Sequence, residues 1–201
     1  MLFSVIPVKI TDSDKIRLIC EVHKLKETFI KIKEKIKSVL SVIRRFFLYY
    51  ILWPSLYKKY SKKPINPKKV VLAYSHLYKQ MPDNLCCMKE YLEARGYECL
   101  IVERADIGRI CGIGIINELA KFFKSYGDAK ALFLTDYFFP AFACKPREGQ
   151  NVVQLWHGCG AFKKWGYSTA DKQWGATKKD LDRFPIHNTY THVCVSSPKV
   201  R

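Results

Sequence analysis

Acidic residues are scarce in this chain: 18 Asp and Glu stand against 35 Lys and Arg, a formal charge of +17 at pH 7. Such an imbalance does not define a fold, but it points to anionic partners such as phosphate-bearing substrates, nucleic acid or acidic lipid. The eight cysteines form no CxxC pair and no Cys/His cluster with zinc spacing, so no metal site is expected. Several, including Cys99 in YECLIV and Cys194 in THVCVS, lie in apolar runs and read as buried thiols of a reducing cytoplasm. The first ten residues, MLFSVIPVKI, suggest a small strand and lack the basic start, long apolar core and cleavage site of an export signal. Nor is there an unbroken apolar run of membrane-spanning length. The longest candidate, residues 46–53, falls far short of the ~20 residues needed, so no span is expected. The aromatics form no RNA-binding pattern, so a nucleic-acid partner is not expected.

The excess charge is unevenly placed. Residues 1–69 hold 17 Lys and Arg against five acids, which accounts for +12 of the +17. Within this segment apolar residues recur at Leu18, Val22, Leu25, Phe29, Ile32, Ile36, Val39, Ile43, Phe46 and Tyr50, steps of four and three that draw one stripe down a long helix. Lys24, Lys26, Lys31, Lys33, Lys35, Lys37, Arg44 and Arg45 lie between them. Three readings fit this pattern: a coiled-coil seam, a helix packed on its own globular domain, or a helix lying on anionic lipid, which the aromatic end FFLYYILW favours. Pro54 is expected to stop the helix, and YKKYSKKPINPKK to serve as a linker. The expected division is a basic amphipathic helical segment over residues 1–63 and an α/β domain over 64–201.

The pattern then changes to strand–helix alternation. Strands are expected at 70–75, 97–103, 129–136, 152–156 and 191–197, with helices at 85–95, 115–126 and around 177–183. Short apolar runs separated by helices indicate a parallel sheet covered on both faces, a Rossmann-like α/β domain. Ligands of such sheets bind beyond the carboxyl ends of the strands. Three ends stand out. Ser75-His76 leads to Asp83 and Asn84, which suit either helix capping or hydrogen bonding to a hydroxylated ligand. Thr135-Asp136, followed by aromatic YFFPAF, can wall a cleft. The strand VVQLW runs straight into His157-Gly158-Cys159-Gly160, with Lys163 and Lys164 just beyond. A histidine there can act as a general base near neutrality, and the lysines can neutralise phosphate. A histidine hydrogen-bonded in a turn is the plainer alternative.

The segment QLWHGCGAFKKWGYST resembles the signature of the CDP-glycerol glycerophosphotransferases, which build poly(glycerol- or ribitol-phosphate) teichoic acids. The pattern WHG-[small]-x-x-K-K-x-G is carried by Trp156, His157, Gly158, Cys159, Lys163, Lys164 and Gly166, and Asp83-Asn84 matches the family's upstream DN pair. The resemblance covers roughly residues 68–201. It departs where Cys159-Gly160 replaces the Thr-Pro common after WHG. It implies a GT-B architecture of two facing Rossmann-like domains, of which this chain is expected to supply only the first, acceptor-side one. It further implies that a hydroxyl of a lipid-linked acceptor attacks the β-phosphate of CDP-glycerol or CDP-ribitol, with no cofactor. In that scheme His157 takes the proton, Asp83 and Asn84 help position the acceptor, Gly158 lets the backbone approach the substrate closely, and Lys163 or Lys164 offsets phosphate charge. The expected location is peripheral, at the cytoplasmic face of a bacterial membrane, with the isolated chain inactive. The alternative expectation is a non-catalytic membrane-surface module that binds an anionic glycopolymer or a full-length transferase.

Overall fold

A computed structural model describes residues 12–75, 78–104, 113–157, 166–173 and 175–197. The expected strand in the first ten residues lies outside them. The chain divides into two compact units, with the boundary between Arg45 and Phe46.

In the first unit, helix α1 (Asp12–Phe47) bears out the long basic helix. Its stripe residues Val22, Leu25, Phe29, Ile32, Ile36, Val39 and Ile43 are all exposed. Arg17–Glu21 at 3.6 Å and Lys37–Glu34 at 3.1 Å are ion pairs within the helix. Exposed pairs of this kind contribute only about 0.3–0.5 kcal/mol each, so side-chain pairing alone does little to hold so long a helix.

Pro54 does not end the helical path. A π-helical turn, Leu48–Leu52, follows α1, and helix α2 (Trp53–Tyr60) has Pro54 in its first turn. The Trp53 N–H bonds the Leu48 carbonyl, a π register, so the ladder has already shifted where proline removes a donor. The steps Tyr49, Trp53 and Tyr57 then place three aromatics on one face, and all three are buried in the α/β core. Tyr49 lies edge-on to Phe184 and close to Phe139, Trp53 packs edge-on against Phe139, and Tyr57 stacks on Tyr126. Each buried aromatic stabilises the unit by roughly 1.5–3 kcal/mol. This is why the compact α/β unit starts at Phe46 and not at residue 64: the expected linker, residues 57–69, begins as the last turn of α2 and ends as the first residues of the strand Asn66–Ser75. The helical stretch Glu21–Tyr60 is also long and apolar enough, by length and composition, to cross a membrane, contrary to the expectation from residues 46–53 alone. Core helices meet the same criterion, and from Tyr49 onward this stretch is one.

The second unit contains a five-stranded sheet of order β2-β1-β3-β4-β5, with every pair parallel. Its strands are β1 (Asn66–Ser75), β2 (Glu98–Arg104), β3 (Ala129–Leu134), β4 (Asn151–Gln154) and β5 (His192–Val193). Helices α3 (Asp83–Glu93), α4 (Ile113–Tyr126), α5 (Phe139–Phe142) and α6 (Lys178–Arg183) connect them. Side chains alternate across β1. Val70 and Leu72 join Leu85 and Leu92 of α3, whereas Val71 and Ala73 join the aromatic cluster of α2 and α4 on the other face. The expected Rossmann-like parallel sheet is thus present, with its order reversing between β1 and β3. Cys144 is buried, and burial pushes its thiol up to about 12. Cys87 and Cys194, in contrast, are exposed.

Below the sheet, the Arg147 guanidinium donates to the carbonyls of Ser61 (2.7 Å), Lys63 (2.9 Å) and Gly127 (2.6 Å), satisfying chain ends after α2 and α4. Gln150, which is buried, accepts from the Tyr57 hydroxyl and donates to the carbonyls of Tyr126 (2.9 Å) and Ala129 (2.8 Å). Gly127 sits at this junction because a Cβ there would lie 2.7 Å from backbone and side-chain carbon of Tyr60. Gly127→Ala is therefore expected to lower stability by about 1–3 kcal/mol in urea denaturation. An unchanged midpoint would show that α2 is not held this closely.

Candidate active site

The sheet order reverses between β1 and β3, and in open α/β sheets the ligand crevice lies outside the carboxyl ends of the strands at such a point. Three connections meet there. Helix α3 starts at Asp83 behind Pro82, which occupies the N-cap in an extended conformation without a side-chain cap bond. Asn84, in the first turn, donates from Nδ2 to Thr135 Oγ1 and to the Trp156 carbonyl, each at 2.6 Å, and its Oδ1 accepts from the Leu85 N–H. Both amide hydrogens are therefore engaged within the protein. Asn84 thereby ties the start of α3 to the chain beyond β3 and β4. Asp83 is exposed and, among the described residues, makes no side-chain hydrogen bond or ion pair, so its carboxylate is available at the rim.

Thr135, the residue after β3, is fully buried. Its carbonyl oxygen lies 2.9 Å from His157 Nδ1. A carbonyl can only accept, so Nδ1 carries the proton and Nε2 of the neutral ring keeps its lone pair. The imidazole stacks on Trp156, with centroids 4.6 Å apart and planes 29° from parallel, and remains exposed. The backbone of Trp156 is left-handed, with φ of +61°, an uncommon state for a bulky side chain. Asp136 follows Thr135. It accepts from the Tyr137 N–H at 2.7 Å and the Tyr78 hydroxyl at 3.2 Å. Burial, with a smaller contribution from the Asp136 charge, raises the Tyr78 phenol.

The structure brings together Asn84, Thr135, Trp156 and His157. Gly158, Lys163 and Lys164 lie outside the described residues, as do Cys159 and His76. Sequence reasoning missed Tyr78 and a second layer formed by Gln154, Tyr190 and His187. Gln154 Nε2 donates to Tyr190 Oη at 2.9 Å, and the Tyr190 oxygen lies 2.8 Å from His187 Nδ1. The polar side chain inside the apolar run VVQLW was the available signal, because a buried amide requires partners.

Burial lowers the pKa of His187 from its ordinary 6.5, opposed in part by the Asp136 charge. The unfolded chain therefore binds more protons than the folded one between the two values, and stability rises with pH across that window. Denaturation midpoints are expected to fall as pH drops below about 6.5, and His187→Gln to flatten that slope. A slope unchanged by the substitution would place the titrating group elsewhere.

The sequence pattern of the CDP-glycerol:poly(glycerophosphate) glycerophosphotransferase family matches residues 55–201. A teichoic acid ribitol-phosphate primase from Bacillus spizizenii is 33% identical over 137 residues, covering 67% of this chain and 35% of the primase. The teichoic acid ribitol-phosphate polymerase TarL of Staphylococcus aureus is 35% identical over 71 residues, covering 35% of this chain and 12% of that protein. Among solved structures, a variant of the wall teichoic acid polymerase TagF superposes with a TM-score of 0.50 at 15% identity, over 82% of this chain and 40% of that one, a likeness of fold. The chain thus spans about a third of the primase it matches. With the match running through the sheet and the WHG segment alike, the chain belongs to the CDP-glycerol:poly(glycerophosphate) glycerophosphotransferase family.

Proposed function

We propose that this chain forms the acceptor side of a polyol-phosphate transferase of teichoic acid synthesis. The observation that carries the reading is the hydrogen bond from His157 Nδ1–H to the Thr135 carbonyl, which leaves Nε2 as a base at the mouth of the crevice. In the proposed reaction, a terminal hydroxyl of a lipid-linked glycopolymer loses its proton to Nε2 as its oxygen attacks the β-phosphate of CDP-glycerol or CDP-ribitol. A phosphorus–oxygen bond forms to the acceptor, the bond to CMP breaks, and the polymer gains one polyol phosphate. Such transfers depend on positioning and on neutralising charge. Asp83 supplies a free carboxylate for acceptor hydroxyls, Gly158 allows close approach, and Lys163 and Lys164 are assigned to the phosphate charge. The CDP-polyol is assigned to a second Rossmann-like domain facing this one in a GT-B arrangement, so the 201 residues alone are proposed to be inactive.

The same reading gives α1 a task. Its exposed apolar stripe and flanking lysines suit the interface of an anionic bilayer, and an acceptor anchored in lipid requires the enzyme at that surface. We place the protein peripherally, at the cytoplasmic face of a bacterial membrane.

The test is CMP release from CDP-glycerol and CDP-ribitol in the presence of lipid-linked acceptor. It compares the chain alone with the chain joined to the remaining portion of the ribitol-phosphate primase it resembles. Activity is expected only in the joined protein, and His157→Ala there is expected to lower kcat by roughly 10²–10⁴-fold. Robust release by the chain alone would overturn the half-site reading, and an unaffected kcat in the variant would overturn the base. Failure of the joined protein despite membrane binding would favour the non-catalytic surface module.

A further inference from the structure

The backbone of Trp156 poses a question that the proposed chemistry leaves open. A bulky residue at φ of +61° persists only where its surroundings over-determine it. Here the peptide groups on both sides are clamped. The Trp156 carbonyl accepts from Asn84 Nδ2 at 2.6 Å, with Thr135 Oγ1 at 3.5 Å. The Trp156 N–H donates to Gln154 Oε1 at 3.0 Å. Gln154 is 1% exposed, and its amide nitrogen is fixed in turn, donating to Tyr190 Oη at 2.9 Å and to the Asp136 carbonyl at 3.4 Å. With the Tyr190 oxygen accepting from Gln154, its own hydrogen points to His187 Nδ1, 2.8 Å away. The neutral imidazole favoured by burial of His187 is the form that can accept it. Each atom of the Gln154 carboxamide therefore has one orientation that satisfies its neighbours.

We infer that Gln154 is a positioning residue: its side-chain oxygen holds Trp156 in the left-handed conformation that turns the next residue, His157, onto the Thr135 carbonyl and leaves Nε2 free. The catalytic consequence rests on the reading of His157 as the base, but the structural statement does not. Chain geometry supplies the link. Gln154 and Trp156 are two residues apart at the end of β4, so an extended strand would project them to the same side, and the reversed φ redirects everything that follows.

The experiment reads the His157 tautomer by ¹⁵N NMR in the 201-residue chain, where histidine free in water prefers the Nε2–H form. The unaltered chain is expected to show Nδ1–H. Gln154→Met, which removes the acceptor, is expected to lose that preference. Gln154→Glu, which retains an oxygen for the Trp156 N–H, is expected to keep it. Gln154→Asn withdraws the carboxamide by one methylene and serves the same purpose should the methionine variant not fold. Retention of the Nδ1–H form in Gln154→Met or Gln154→Asn would overturn the inference. So would equal loss in the methionine and glutamate variants, which would make packing the cause. In the joined transferase, Gln154→Met is expected to lower kcat by roughly 10–100-fold with KM for the CDP-polyol unchanged. If His157→Ala leaves that activity intact, the base assignment fails while the tautomer measurement still decides the role of Gln154.

Discussion

The crevice depends on one carboxamide. Asn84 donates both of its amide hydrogens across the gap between α3 and the ends of β3 and β4, to Thr135 Oγ1 and the Trp156 carbonyl. Parallel strands fan apart as the sheet twists, and nothing in the sheet ladder itself fixes the loops beyond their carboxyl ends. A side chain with two donors can tie two such loops to a third element. The helix start is a suitable place for it, since the first turn is anchored by Leu85, which is fully buried under β1. Once the Trp156 carbonyl is fixed from one side and its N–H from the other by Gln154, the position of the His157 ring follows.

A comparable division of labour exists at the opposite end of the sheet. The aromatics Tyr49, Trp53 and Tyr57 cover one sheet face, while Arg147 and Gln150 meet the carbonyls that the ends of α2 and α4 leave open. Buried aromatic area provides most of the stabilisation there, and the polar pair removes the desolvation penalty that unpaired carbonyls would carry. The fold thereby separates a stability-bearing base from a crevice whose exposed groups, Asp83 and the His157 ring, remain available to a ligand.

Much of this was legible in the sequence. The apolar runs of β1 and β3 and the helical periodicity of α4 gave the parallel sheet, because strands buried on both faces read as continuous hydrophobic stretches. His157 was legible from its place at the end of a buried strand. The basic helix was legible from its four-three spacing, but its end was not. Proline is a helix breaker in isolation, but the π-helical turn at Leu48–Leu52, whose Tyr49 packs against Phe139 and Phe184, precedes a new helix with Pro54 in its first turn. Asn84 stood out in the sequence, but its bonds to Thr135 and Trp156 did not, since one amide looks the same in sequence whatever it faces. Gln154, Tyr190 and His187 were not found. Their association spans 36 residues and exists only once β5 lies beside β4.

On the proposed reading, the crevice between β1 and β3 receives the acceptor and not the nucleotide. The most direct measurement maps amide chemical-shift changes in the 201-residue chain on titration with a soluble, lipid-free glycerol-phosphate-bearing acceptor, with CDP-glycerol titrated separately. The acceptor is expected to perturb Asp83, Thr135 and His157 together, and the nucleotide to leave them unmoved. Perturbation of the same residues by CDP-glycerol, with none from the acceptor, would contradict it.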